Sequence, residues 1–194
     1  MILASKSPRR LEILTNFGIK NIKVIIAEIE EVSDKKEIID QIMDIAKKKG
    51  DEISKSFPDE FILSADTVVI SNNLVLGKPK DEKDAFNTLK SLSGKSHKVI
   101  TGYSLLNISK DISICGYDET IVTFKELEDE EIKWYINTGE PMDKAGSYGI
   151  QGVGAGILID KINGEFYNVM GFPISKFVSD LKKHNIKLQD IIEF

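Results

Sequence analysis

One cysteine, two histidines and five prolines in 194 residues leave several classes of protein with little to build on. Cys115 has no second cysteine to bridge, so the core alone must hold the fold, as suits a reducing compartment. It lies in an apolar stretch (ISICGY) with no histidine beside it in sequence, which points to a core position rather than a nucleophile. His97 and His184 are far apart and lack the short spacing of zinc ligands. No apolar run approaches the roughly 20 residues needed to span a bilayer. The opening MILASKSPRR also has too short an apolar stretch for a secretory leader. A soluble, cytoplasmic chain without membrane association is therefore expected. Acidic residues outnumber basic ones, 31 to 26, and the formal charge of -5 argues against stable, sequence-independent nucleic-acid binding.

The chain does have enough apolar residues for a sizeable core: 41% are hydrophobic and 29% charged, close to globular averages. Met1 to Ala4 reads as a short buried strand. Ser7 and Pro8 follow in the order of a helix cap and first helical position, with a helix over Arg9 to Phe17 that stops at Gly18. Ile22 to Ala27 reads as a second strand. Ser33 is placed to cap a long helix whose Ile38, Ile42, Ile45, Ala46 and Ile53 recur at helical spacing. Phe61 to Ile70, apolar on both alternating faces, has the pattern of a central strand, and Asn72-Asn73 turns it tightly into Leu74-Val75-Leu76. A helix over Asp81 to Leu92 ends at Gly94, and two long strands, Lys98 to Ile108 and Ile112 to Phe124, come next. A helix over Glu128 to Asn137 leads into a glycine-rich loop, Gly156 to Ile162 returns to strand, and a last helix follows Pro173. With no repeat or linker, residues 1–194 are expected to form one α/β domain: a mixed twisted sheet with flanking helices, in two lobes around a central cleft.

Several residue types fall where chemistry needs them. Ser5-Lys6-Ser7-Pro8-Arg9-Arg10 joins a strand end to a helix N-terminus, where free N–H groups, the dipole and two guanidinium forks favour a phosphate. A plain capped helix with solvated arginines is the alternative. Asp66 interrupts an apolar strand, and an uncompensated carboxylate there would cost about several kcal/mol, so a metal ion, a water or a lysine would serve it; an aspartate at a strand end hydrogen-bonded to backbone is the alternative. Glu31 supplies a second hard oxygen ligand, although paired acids before a helix are often only solvated. Lys49 lies on the apolar stripe of its helix, four residues after Ile45, and so either points inward or snorkels from the stripe's edge. Lys78 follows the hairpin and offers a phosphate contact or an ordinary turn lysine. In Asp143-Lys144-Ala145-Gly146-Ser147-Tyr148-Gly149-Ile150-Gln151-Gly152, glycines permit close backbone approach to a ligand, and the Gln151 amide donates and accepts together, as reading a pyrimidine edge requires; a tight connection between elements is the alternative.

Two nucleotide motifs fail. Ser93-Gly94-Lys95-Ser96 looks like the end of a phosphate-binding loop, but Leu89 stands where its first glycine belongs and the run follows a helix. A dinucleotide fingerprint starting at Gly152-Val153-Gly154 would need a small residue where Ile157 stands.

Taken in order, LASKSPRR, SADTVV, GKPKDEKDA, LSGKSHKVITG, DKAGSYGIQGVGAG and FYNVMGFP span nearly the whole chain, and together they resemble the Maf family of nucleotide pyrophosphatases. The resemblance implies an ITPase/Maf-like α/β fold with a central cleft, a divalent metal (Mg²⁺ or Mn²⁺) and frequent homodimers. It implies Asp66 as the catalytic proton acceptor, and Ser7, Arg10, Glu31, Lys49 and Lys78 at polar substrate positions; that Asp66 and Glu31 hold the metal is a mechanistic hypothesis added to it. Arg9, Thr67 and Gln151 match positions tied to substrate choice. The form DKAGSYGIQG is similar to the branch that hydrolyses dTTP and UTP, and by extension modified pyrimidine nucleotides, to monophosphate and pyrophosphate as house-cleaning. The sister branch acts on 7-methyl-GTP. A nucleotide-binding regulator linked to septum formation, with little turnover, is the alternative. Three positions depart from the family pattern: Gly50 stands for an expected alanine, Phe172 for leucine and Glu30 for aspartate.

Overall fold

The computed structural model describes residues 1–191. Its elements in chain order are β1 (Ile2–Ala4), α1 (Pro8–Asn16), β2 (Lys23–Val24), α2 (Ile38–Ser54), β3 (Ile62–Ser71), β4 (Leu74–Leu76), α3 (Glu82–Leu92), β5 (Ser96–Asn107), β6 (Ile112–Phe124), α4 (Asp129–Asn137), α5 (Gly152–Leu158), β7 (Ile159–Asn163), α6 (Phe166–Met170) and α7 (Ile174–Lys183), with short 3₁₀ turns between some of them. Seven strands form a mixed sheet in the order β2-β1-β3-β5-β6-β7, with β4 paired to β3. β1 runs parallel to both β2 and β3, whereas β3–β4 and β6–β7 are antiparallel. Among the described residues no helix is long and apolar enough to cross a membrane.

The chain divides into two compact units. The first comprises Met1–Asp66, Thr101–Asp118 and the chain from Gly171 on; the second comprises Thr67–Ile100 and Glu119–Met170. In the first unit Ile2, Ala4, Ile53, Ile62 and Leu106 share a core, with Ile25, Ala27 and Phe57 packed against it. Small residues let α2 approach the strands closely. A Cβ at Gly50 would lie 2.9 Å from Leu106 Cδ1 and 3.0 Å from Ser64 Oγ, and one at Gly102 would lie 2.9 Å from Ile42 Cγ2. Ser64 Oγ also donates to the Ala46 carbonyl at 2.6 Å. Phe172 is fully buried and completes an aromatic cluster with Tyr103 and Phe177, its ring centres 5.8 and 5.2 Å from theirs.

The second unit has its own core, built from Val69, Ala85, Leu89, Leu92, Val99, Val122, Phe124, Leu127, Ile132, Tyr135, Ile136, Tyr148 and Leu158. His97 is buried there, edge-on to Phe124 and Tyr148, with its Nε2 2.7 Å from the Tyr148 hydroxyl. Asn72 and Asn73 take φ values of 50° and 62°, the left-handed pair that a two-residue hairpin loop demands.

Several expected boundaries move. β2 covers only Lys23–Val24, both exposed, because its one partner, β1, is three residues long; the Ile25 N–H still donates to the Leu3 carbonyl at 3.1 Å before the pairing ends. α2 is capped at Glu37, not Ser33, and the Ser33 hydroxyl instead donates to Asp44 at 2.6 Å. Ser7 has the extended backbone of a cap, but its side chain makes no cap bond. Gly156 lies inside the short helix α5, and strand structure resumes only at Ile159. Cys115 is exposed rather than in the core, since strand alternation turns Ile114 and Gly116 inward and Cys115 outward.

Candidate active site

In the first unit, the predicted periodicity places Lys49 on the buried face of α2, with only 8% of its surface exposed. Gly50 beside it keeps that face close to β3 and β5. The ammonium lies 2.8 Å from Asp66 Oδ1 and 3.0 Å from Glu31 Oε1. Asp66 lies on β3, and its side chain is 17% exposed. The compensation that a carboxylate in this strand requires is therefore a lysine that arrives from a helix. Glu31 belongs to the irregular stretch between β2 and α2, and 56% of its side chain remains open to solvent.

Arg10 is the second buried cation. It lies on α1 just after the cap, where its Nε donates to the Gly171 carbonyl at 2.9 Å and its Nη1 to Ser5 Oγ at 2.8 Å. Burial lowers its pKa, as desolvation does to any cation; Asp66 and Glu31 act in the opposite direction and Arg9 adds to the lowering. These influences place Arg9, Arg10, Glu31 and Asp66 in one electrostatic neighbourhood. Ser7 and Arg9, both half-buried, stand at the start of the same helix. Two buried cations thus converge with two carboxylates beside a helix N-terminus, where opposite charges are fixed before any ligand arrives.

The other expected site residues belong to the second unit. Thr67 is half-buried on β3, Lys78 is exposed after β4, and Gln151 is half-buried at the position that precedes α5. Among the described residues, no group of three or more His, Cys, Asp or Glu side chains is placed to hold a metal ion. Ser5 was not singled out by the sequence. Its hydroxyl orients Arg10, and the only hint was its place in the same Ser-Lys-Ser-Pro run.

A protein-family model described as Maf-like protein matches residues 1–184. The chain belongs to the Maf-like protein family. A relative in Fusobacterium nucleatum, named dTTP/UTP pyrophosphatase, is 54% identical over 97% of this chain and 97% of its own. A relative of the same name in Pyrococcus horikoshii is 48% identical over 96% of this chain and 97% of its own. A solved structure of a nucleoside-triphosphatase, or dITP/XTP pyrophosphatase, from Mycobacterium abscessus covers 95% of this chain and 94% of its own at 10% identity, with a TM-score of only 0.41. In this Maf-like chain the stretches that carry Ser7 to Arg10, Lys49 and Asp66 all fall within the matched residues.

Proposed function

We propose that this Maf-like chain is a nucleoside triphosphate pyrophosphatase that hydrolyses dTTP and UTP to the monophosphate and pyrophosphate. The observation that carries this reading is the Lys49 ammonium held between Asp66 and Glu31, whose charges also act on buried Arg10. It occurs in a chain 54% identical, nearly end to end, to a protein named dTTP/UTP pyrophosphatase.

Phosphoryl transfer asks a protein mainly to position and to neutralise charge. Arg10, with Nε and Nη1 anchored, presents its fork without losing much side-chain freedom, and Arg9 and the α1 N-terminus add to the positive field. Lys49 offsets phosphate charge and fixes the orientation of Asp66. Asp66 accepts a proton from the attacking water as the oxygen bonds to the α-phosphorus; the α–β anhydride bond breaks and pyrophosphate leaves. Lys78, exposed in the second unit, is a further cation for phosphate charge.

The carboxylate pair also fits a divalent ion. Asp66 and Glu31 lie close enough to share the Lys49 ammonium, at 2.8 and 3.0 Å, both are hard oxygen donors, and Mg²⁺ characteristically takes one or two carboxylates and completes its shell with water and phosphate. These two residues would hold Mg²⁺ or Mn²⁺, which when bound polarises phosphoryl oxygens and offsets their charge. Arg9, Thr67 and Gln151 govern substrate choice. The Gln151 amide matches the alternating donor and acceptor edge shared by thymine and uracil, and cytosine lacks the ring N–H of that edge.

Asp66→Asn tests the assignment, because it keeps shape and one acceptor but removes the proton acceptor. Turnover of dTTP should fall at least about 100-fold, the range of a lost general base. An unchanged rate in the folded variant would remove Asp66 from the mechanism.

A further inference from the structure

The loop that carries Gln151 is held at both ends by one hydrogen-bonded pair from α4 and the turn that follows it. Tyr135, on α4 and fully buried, donates its hydroxyl to Glu140 Oε1 at 2.9 Å. The same hydroxyl accepts from the backbone N–H of Gly149 at 3.1 Å, and Glu140 Oε2 accepts from the backbone N–H of Val153 at 3.2 Å. Gly149 lies two residues before Gln151 and Val153 two residues after it. The pair is itself anchored: the Glu140 N–H donates to Thr138 Oγ1 at 3.2 Å, and the Lys144 ammonium donates to the Glu140 carbonyl at 2.6 Å.

The glycines of the loop are cut to fit this pair. A Cβ at Gly149 would lie 2.8 Å from Glu140 Oε1, one at Gly152 would lie 3.0 Å from Oε2, and one at Gly154 would lie 2.7 Å from the Tyr135 hydroxyl. Burial pushes the Tyr135 phenol upward in pKa, the Gly149 N–H pulls it down, and the Glu140 and Asp143 carboxylates push it further up, so it remains a donor at physiological pH. Side-chain amides read a base only if their backbone is fixed, since a displacement of about 1 Å is enough to lose the hydrogen bonds that discriminate.

We infer that Tyr135 and Glu140 are positioning residues for base selection: they clamp the backbone on either side of Gln151 so that its amide meets the pyrimidine edge. This rests on the reading of Gln151 given under Proposed function. The test compares Tyr135→Phe, Glu140→Gln and Gln151→Ala with the parent chain, each assayed with dTTP, UTP and CTP, together with amide hydrogen exchange over residues 149–153. Tyr135→Phe keeps the ring in the core; Glu140→Gln keeps the shape and one acceptor, and serves if the first variant fails to fold. For Tyr135→Phe and Glu140→Gln the expected result is a rise of about tenfold in KM for dTTP and UTP, the worth of one charge-assisted hydrogen bond, with kcat within about twofold. Discrimination against CTP should shrink by a similar factor, exchange over 149–153 should quicken, and Tyr135→Phe should add nothing in the Gln151→Ala background. A uniform loss on all three nucleotides, or unchanged exchange in the loop, overturns the clamp. If the parent chain hydrolyses neither dTTP nor UTP, the substrate reading has failed on its own, and exchange still decides the clamp: quickened in the variants it stands, unchanged it falls.

Discussion

Replacing Lys49 by Met removes the ammonium and keeps most of the stem, so the loss reads the charge contacts rather than the packing. The Lys49 side chain is 10% exposed and that of Asp66 17%, at 2.8 Å. Breaking a fully buried pair from one side costs about 3–5 kcal/mol, because the surviving charge is stranded. Here Asp66 keeps the field of Arg10 and some access to water, which brings the expected cost to about 2 kcal/mol. The contact to Glu31, 56% exposed, adds less than about 1 kcal/mol. Asp66→Asn should cost less than Lys49→Met, about 1 kcal/mol, because Lys49 keeps Glu31 as a partner. The double variant should then show a coupling of about 1–2 kcal/mol between the two residues. Urea unfolding followed by far-ultraviolet circular dichroism measures all four corners of the cycle. A coupling below about 0.5 kcal/mol, the usual scatter of independent sites, would refute the claim that Lys49 is the counter-charge of Asp66.

Burial pulls the His97 imidazole down to about 4 from 6.5. The unfolded chain therefore takes up this proton first as pH falls: stability is intact above pH 6.5 and drains away between 6.5 and 4, by up to about 3 kcal/mol. His97→Gln should lose that slope, and a parallel slope in the variant would assign it to other groups. Burial tends to raise the Asp180 carboxyl, but hydrogen bonds from Lys176, Lys183 and Tyr103 outweigh it and hold the group at about 2. Its contribution is present above pH 3.8 and is lost only as pH falls from there toward 2, which separates it from the His97 window. Gly116→Ala would put a Cβ 2.5 Å from the Tyr103 hydroxyl and 2.6 Å from the ring carbon that carries it. Tyr103 is fully buried and has no room to retreat, so thermal unfolding should show a loss at the upper end of the overpacking range, about 3 kcal/mol.

Much of the candidate site could be read before the structure, and the reasons are local. Lys49 falls on a helical stripe, Asp66 breaks an apolar strand, and Ser7-Pro8-Arg9-Arg10 opens a helix; each signal needs only a few neighbouring residues. What escaped needed contacts distant in sequence. That Lys49 answers Asp66 depends on Gly50, Gly102 and Ser64 letting α2 sit against the strands. That Arg10 is oriented depends on the Gly171 carbonyl, 161 residues away in sequence. The glycine run from 152 to 156 suggested loop and then strand, but α5 forms there, with its first turn held by Glu140 through Val153, a tertiary contact that overrides poor helix propensity. Cys115 was misplaced because an apolar neighbourhood in sequence does not fix which face of a strand a residue occupies.

The central claim is tested most directly by pyrophosphate release from the purified chain with Mg²⁺ or Mn²⁺ across dTTP, UTP, CTP, GTP, 7-methyl-GTP and ITP. Release from dTTP and UTP well above the other four, and lost in Asp66→Asn, is the predicted result. Folded protein that binds these nucleotides but releases pyrophosphate from none of them would contradict it.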